Sequence, residues 1–174
     1  LNYRQSDFTT VYNYLSLRFE GDYTLQVRAY DDGVAYRFVT SFPDDITVKS
    51  ETVQFNFSDR YQMYIPFIPG SDDRYRSSFE SQYTVTHTIG DTRSEQLAFL
   101  PILVKDPDFG SLLLMESDVE DYPGMFISQT KSGLKAEFSP VPDTFREPSK
   151  HGASYADTYR DYIASTGGSR TFPW

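Results

Sequence analysis

The chain has 174 residues, a mass of 20.0 kDa and a formal net charge of −9, from 25 acidic and 16 basic residues. An acidic chain repels phosphate backbones and anionic bilayer surfaces, which argues against nucleic acids and such membranes as partners. Cysteine is absent, so disulfides, thiolate metal sites and cysteine nucleophiles are excluded, and no apolar run is long enough to cross a bilayer.

Apolar and polar residues alternate along most of the chain, which is the period of β-strands. The clearest pair of strands is Tyr23–Tyr30 and Val34–Thr40, separated by Asp31, Asp32 and Gly33. Because aspartate and glycine favour tight turns, this pattern predicts a β-hairpin, with a positive φ at Gly33.

More strands follow further along the chain. Five shorter segments are predicted as strands: Thr52–Phe57, Gln62–Ile68, Tyr83–Ile89, Gly124–Gln129 and Leu134–Phe138. Two others, Leu97–Val104 and Ser111–Met115, are apolar on both faces, which predicts strands in the middle of the core. Pro101 lies inside the first of these and indicates a bulge or an edge position, because proline cannot donate a ladder hydrogen bond.

Helix signals are sparse. Tyr155, Tyr159 and Tyr162 recur at the i, i+4, i+7 spacing of a helix, behind Ser154 as a candidate cap. The same stretch also fits a loop followed by a short strand at Asp161–Ala164, and the residues leave both interpretations open. Many strands divided by turn residues predict one all-β domain, a sandwich or a barrel.

The residues offer little support for catalysis in this chain. His87 and His151 are far apart, and neither a serine nucleophile elbow nor a glycine-rich phosphate loop is present in the sequence. Acidic pairs such as Asp106 and Asp108 lie beside turn residues, where aspartate commonly bonds its own backbone. We therefore assign no catalytic and no cofactor-binding residue here.

One acidic cluster is different, because it directly follows the apolar run Leu112–Leu114. It reads MESDVEDYPGM from residue 115 to residue 125. Glu116 and Asp118 would share one face if the strand continued, and hard cations prefer such oxygen ligands on a rigid element. A solvated strand end with a turn at residues 122–124 explains the cluster as well, and on the residues alone it is the more common arrangement.

Three segments of the chain resemble the N-terminal domain of glycoside hydrolase family 97, in the same order. They are VYNYLSLRFEGDYTLQVRAYDDGVAYRF, MESDVEDYPGMF and YIASTGGSRTFPW, the last of which is similar to the junction with the catalytic barrel. The resemblance implies that residues 1–174 are part of one β-sandwich domain of the galactose-mutarotase-like kind, a supersandwich. Its first strands are expected before Leu1, and a catalytic (β/α)₈ barrel is expected after Trp174.

The resemblance also implies a function for the intact protein. Members hydrolyse α-glucosides with inversion or α-galactosides with retention, and the location implied is the bacterial periplasm or the exterior, with any signal peptide preceding this chain. A calcium ion in the active site is held by glutamates, one of them from the N-terminal domain, and that ligand corresponds to Glu116. The partners implied are an oligosaccharide substrate and the barrel of the same polypeptide. Two alternatives remain: a carbohydrate-binding sandwich that uses exposed tyrosines and phenylalanines, and a structural module without a ligand.

Overall fold

The computed structural model describes residues 9–57, 61–69, 75, 80–86, 96–108, 110–148 and 155–174. Regular structure within these ranges is all strand, and no helix there is long and apolar enough to span a membrane. The predicted all-β class is therefore confirmed. The chain divides into two compact units: unit 1 consists of residues 1–46 and 166–174, and unit 2 consists of residues 47–165. The assignment of the whole chain to one domain stays a prediction.

The described part of the chain contains short strands throughout. In chain order they are β1 (Asn13–Phe19), β2 (Tyr23–Ala29), β3 (Val34–Ser41), β4 (Ile46–Val48), β5 (Gln54–Asn56), β6 (Gln62–Ile65), β7 (Thr84–Thr86), β8 (Ile102–Asp106), β9 (Gly110–Leu114), β10 (Met125–Thr130), β11 (Gly133–Phe138), β12 (Pro142–Phe145), β13 (Ala156–Tyr159), β14 (Ala164–Thr166) and β15 (Ser169–Thr171).

Unit 1 is built on one antiparallel sheet with the strand order β1-β2-β3-β15. The predicted hairpin is confirmed, because β2 pairs with β3 over its whole length and the Tyr30 amide donates to the Gly33 carbonyl at 2.7 Å. β1, which the strand assignment from sequence missed, extends the sheet and places Leu15 opposite Val27 and Leu17 opposite Leu25.

The turn of that hairpin corrects one prediction. Gly33 is not among the residues with a positive φ, so the predicted left-handed conformation at this position is wrong. Tyr30 to Gly33 form a four-residue loop between the strands, and such loops are most often built around a type I turn, which needs no left-handed glycine. In the sheet of unit 1, positive φ values occur instead in the β1–β2 turn, at Gly21 (97°) and Asp22 (61°).

The last residue of the chain covers the polar face of this sheet. The guanidinium carbons of Arg28 and Arg37 each lie 4.1 Å from the centroid of the Trp174 ring. Arg37 Nε also donates to Gln26 Oε1 at 2.8 Å, which fixes its guanidinium plane. Two cation–π contacts to one indole therefore hold the C-terminal segment on β2 and β3.

The core of unit 2 lies between the apolar faces of two of its sheets. The first sheet has the order β7-β6-β8-β9 and the second has the order β10-β11-β5. Fully buried side chains come from both: Met63 and Ile102 from the first, Ile127 and Leu134 from the second. Two sheets packed face to face make a sandwich, as the sequence predicted.

The apolar segment Leu97–Val104 is not one continuous strand. Ala98 bridges to both Phe67 and Ile127, and β8 begins only at Ile102, directly after Pro101. The proline thus stands before the strand rather than at a bulge within it, a position where its missing N–H interrupts no ladder.

The apolar segment Ser111–Met115 forms β9, but the prediction that it lies in the middle of the core is wrong. β9 is the terminal strand of its sheet order, and Leu113 and Met115 are 51% and 64% exposed. Leu114 is buried, whereas Leu112, on the same face of the strand, is 46% exposed. Apolar character on both faces therefore did not imply burial on both faces.

The tyrosine-rich segment near the end of the chain also differs from the helical interpretation. Residues Ala156–Tyr159 form β13, which pairs with β12, and Ala164–Thr166 form β14. The helix is wrong, and the alternative of a short strand near Asp161–Ala164 is closer to the structure.

Candidate functional site

Glu116 lies two residues beyond the end of β9, in the turn that leads to β10. Both of its carboxylate oxygens accept a hydrogen bond from the Met125 backbone N–H, each at 3.0 Å. Met125 is the first residue of β10, so this side chain closes residues 116–125 into a loop, which we call the acidic turn.

The strand does not continue through the acidic turn, so Glu116 and Asp118 do not share a strand face. Asp118 and Asp121 have φ values of 59° and 50°, a left-handed conformation that aspartate adopts more readily than most residues. The Glu120 amide donates to the Asp118 carbonyl at 2.9 Å, which tightens the bend. The chain consequently folds back toward β10 instead of running into solvent.

Burial separates Glu116 from the other carboxylates of this turn. Asp118, Glu120 and Asp121 are exposed, whereas Glu116 is half-buried. A Cβ at Gly124 would lie 3.3 Å from Glu116 Oε1, so the backbone at Gly124 approaches the carboxylate closely. The sequence-predicted ligand is thus the carboxylate in this turn with a partly enclosed position.

A second carboxylate belongs to the same site. Glu51, 71 residues before Tyr122 in the chain, accepts a hydrogen bond from the Tyr122 hydroxyl at 2.8 Å. The Tyr122 ring packs edge-on against Phe138 of β11, with ring centroids 6.1 Å apart. Sequence reasoning missed Glu51, because nothing in the local pattern around residue 51 indicates which distant turn it meets.

The two glutamates make this site electrostatically negative. Burial raises the pKa of the Glu116 carboxyl above its ordinary value of 4.5, the Met125 hydrogen bond partly opposes this, and the nearby Glu51 carboxylate raises it further. Burial likewise raises the pKa of the Glu51 carboxyl, against the lowering effect of the Tyr122 hydrogen bond. A cation placed beside them would stabilise the ionised form of both carboxylates.

The donor set fits a hard cation but is incomplete for one. Carboxylate oxygens are the ligands that calcium prefers, and calcium takes six to eight oxygens. Among the residues that the structure describes, no group of three or more His, Cys, Asp or Glu side chains is arranged to hold a metal ion. Within that part of the chain, Glu116 and Glu51 are two carboxylates of the kind that such a shell requires.

The remaining sequence candidates have local roles or lie outside the described residues. Asp106 Oδ1 accepts the Asp108 backbone N–H at 2.8 Å, which confirms the turn role expected for this pair. His87 and His151 lie outside the residues that the structure describes.

Comparisons with known proteins agree on one family. A family model described as Glycosyl-hydrolase 97 N-terminal matches residues 1–174. A retaining alpha-galactosidase of Bacteroides thetaiotaomicron is 33% identical over 180 aligned residues, which cover 99% of this chain and 27% of that enzyme.

Solved structures show the same fold. A Glycoside Hydrolase Family 97 enzyme from Pseudoalteromonas sp. strain K8, in complex with acarbose and as a variant in complex with panose, superposes with a TM-score of 0.61 at 16% identity. The match covers 95% of this chain and 26% of that one, so the chain spans about a quarter of the length of its relatives. The chain belongs to the family of N-terminal domains of glycosyl hydrolase family 97.

Proposed function

We propose that this chain is the non-catalytic N-terminal domain of a calcium-dependent α-glycosidase. In the intact protein it packs on a catalytic (β/α)₈ barrel that binds the oligosaccharide, and it supplies Glu116 as one calcium ligand. The observation that carries the proposal is the half-buried Glu116 carboxylate, held by Met125 and accompanied by Glu51. We further propose a periplasmic or secreted location.

The substrate class proposed is an α-galactoside or an α-glucoside. The relative at 33% identity is called a retaining alpha-galactosidase, which makes α-galactosides the first substrates to test. Retention or inversion depends on the separation of the two catalytic carboxyl groups, which are about 5–5.5 Å apart in retaining enzymes and wider apart in inverting ones. Those groups are expected in the barrel.

The chain by itself is proposed to be inactive. Glycoside hydrolysis needs an acid and a second carboxylate that both face the scissile bond. Both of those groups are expected in the barrel, whereas Glu116 and Glu51 accept hydrogen bonds from Met125 and Tyr122 in the acidic turn. Robust release of p-nitrophenol from an α-galactoside or α-glucoside by the purified chain would contradict this.

Calcium would neutralise charge and polarise an oxygen near the scissile bond. From this chain, Glu116 would hold the ion, with Glu51 adding negative charge nearby, and the other oxygens would come from the barrel. We expect the separate chain to bind calcium only weakly, with a Kd on the order of millimolar, because charge count sets much of calcium affinity.

The test is a calcium titration of hydrolytic activity in the intact protein. Glu116→Gln keeps the shape of the side chain and removes its charge, so the calcium concentration for half-maximal activity should rise by about tenfold or more. Asp118→Asn and Glu120→Gln, on exposed residues of the same turn, are the matched controls and should stay near wild type. If Glu116→Gln matches wild type while a control variant abolishes the calcium dependence, Glu116 is not the ligand.

A second candidate is carbohydrate binding by unit 1. Phe19, Tyr36 and Phe38 share one face of its sheet by register and are 37–41% exposed, which suits stacking on sugar rings. Binding of a galacto-oligosaccharide to the chain, abolished by Tyr36→Ala, would favour this candidate over a purely supporting role.

A further inference from the structure

Two hydrogen-bond ties within unit 2 hold the acidic turn, and the second of them does not involve Glu116. The first tie is the Glu116 carboxylate on the Met125 amide, at 3.0 Å. The second is the Tyr122 hydroxyl on Glu51 Oε2, at 2.8 Å. Because Tyr122 lies between Glu116 and Met125 in sequence, the second tie acts on the same short loop.

The two ties meet in the β10–β11 pair. Met125 of β10 lies directly opposite Phe138 of β11 in the antiparallel register. The Tyr122 ring packs on that same Phe138. Glu51, Tyr122, Phe138, Met125 and Glu116 therefore form one continuous chain of contacts, which ends at the carboxylate oxygens.

Removing the Tyr122 hydroxyl bond would leave the ring on Phe138 but release the outer part of the turn from Glu51. Residues 117–121 are otherwise exposed, and two of them have left-handed backbone conformations. The Glu116 carboxylate would keep its Met125 hydrogen bond, but the loop that carries it would lose the Tyr122–Glu51 bond. Partners of this kind, which orient a ligand without touching the ion, commonly change metal affinity by 10–100-fold, on the order seen in well-studied metal sites.

We propose that Glu51 and Tyr122 are positioning residues for Glu116, with Glu51 acting as the acceptor that anchors the Tyr122 hydroxyl. This inference rests on the proposed function, in which Glu116 is a calcium ligand. Glu51 would then affect calcium binding by orienting Glu116 through Tyr122, although Glu51 lies far from Glu116 in the sequence and before β5 in the fold.

The experiment measures the calcium Kd of the intact protein by isothermal titration calorimetry, with thermal unfolding in EGTA as a parallel readout. Tyr122→Phe and Glu51→Ala should each weaken calcium binding by about tenfold. Glu51→Gln keeps an acceptor oxygen for Tyr122 and should recover a large part of the loss seen in Glu51→Ala. Tyr83→Phe is the matched control, because it removes a 2.9 Å hydroxyl bond to the Pro101 carbonyl elsewhere in unit 2 and should leave the calcium Kd unchanged.

The outcomes separate this inference from the proposed function. If Glu116→Gln weakens calcium binding but Tyr122→Phe does not, the positioning role is overturned while the ligand role stands. If Tyr122→Phe lowers the melting temperature as Tyr83→Phe does and leaves the Kd at the wild-type value, its bond is structural only and the inference is wrong. If Glu116→Gln itself has no effect on the Kd, the proposed function fails together with the inference.

Discussion

The two compact units bury their apolar residues in different ways. In unit 2, side chains of two sheets interlock, and Met63, Ile65, Ile102, Ile127 and Leu134 are completely buried. In unit 1, the residues of one face of the sheet remain partly exposed, with β1 exposed along its whole length. Unit 2 therefore carries its own core, whereas unit 1 depends mainly on strand pairing.

The candidate site belongs to unit 2, the unit with the fully buried core. The acidic turn connects β9 and β10, two strands of unit 2 that each contribute side chains to the core. A ligand residue held on a rigid base loses less entropy when it binds a cation than one held on a mobile base. In unit 1, β2 and β3 pair along the hairpin, and Arg28 and Arg37 contact the Trp174 ring.

The largest expected effect comes from deleting core atoms in unit 2. Ile127 is 0% exposed and packs between the two sheets, so Ile127→Ala should cost about 2–5 kcal/mol. Leu17→Ala, on the 41% exposed β1 face of unit 1, should cost about 1 kcal/mol. Hydrogen exchange of β10–β11 peptides measures the first change, and fluorescence of Trp174, the one tryptophan of the chain, measures the second during urea unfolding. Equal losses in the two variants would remove the contrast between the units.

A smaller effect is expected at two glycines. A Cβ at Gly133 would overlap the Phe55 backbone carbonyl across the β11–β5 pair, so Gly133→Ala should cost about 1–3 kcal/mol. Gly33, in the unit 1 hairpin, has open space around it and no positive φ, so Gly33→Ala should stay within about 0.5 kcal/mol of wild type. Urea denaturation of both variants checks this, and a marked loss at Gly33 would mean that its turn is left-handed after all.

The smallest effect is a pH dependence confined to unit 2. Folding raises the pKa values of Glu51 and Glu116 above 4.5, so their contribution to stability is fully present below pH 4.5 and is lost as pH rises through the folded pKa values. Without calcium, wild type should therefore lose stability as the pH rises from 4.5 to 7, and the free energy of unfolding of Glu51→Gln should increase relative to that of wild type. Glu120→Gln, at an exposed position, controls for the loss of one negative charge. A constant difference between wild type and Glu51→Gln over this range would contradict the prediction.

Alternation and turn chemistry predicted the hairpin of unit 1 because both signals are local. The period-two pattern predicted β2 and β3, and the four-residue loop Tyr-Asp-Asp-Gly joins them. The φ of Gly33 was not predictable in the same way, since it depends on the loop length that the strand ends select. The apolar run Leu112–Leu114 led to the wrong prediction of a central strand, because the position of β9 at the edge depends on the order of strands in the sheet.

The candidate site was predictable only in part. Glu116 was identified through the resemblance, and the structure adds the physical reason that separates it from Asp118 and Glu120, which is burial. Glu51 could not be found from its neighbours in sequence, because its partner Tyr122 is 71 residues away and only the folded chain brings them together.

The most direct test of Glu116 as a calcium ligand is an anomalous difference map from crystals of the intact protein, grown with calcium and exchanged into terbium. If Glu116 is a calcium ligand, one strong peak should lie about 2.3–2.6 Å from one of its carboxylate oxygens, the usual distance for a calcium ligand. The same peak should be absent or much weaker in crystals of Glu116→Gln. An ion bound at full occupancy away from Glu116, or an equally strong peak in the variant, would contradict the central claim.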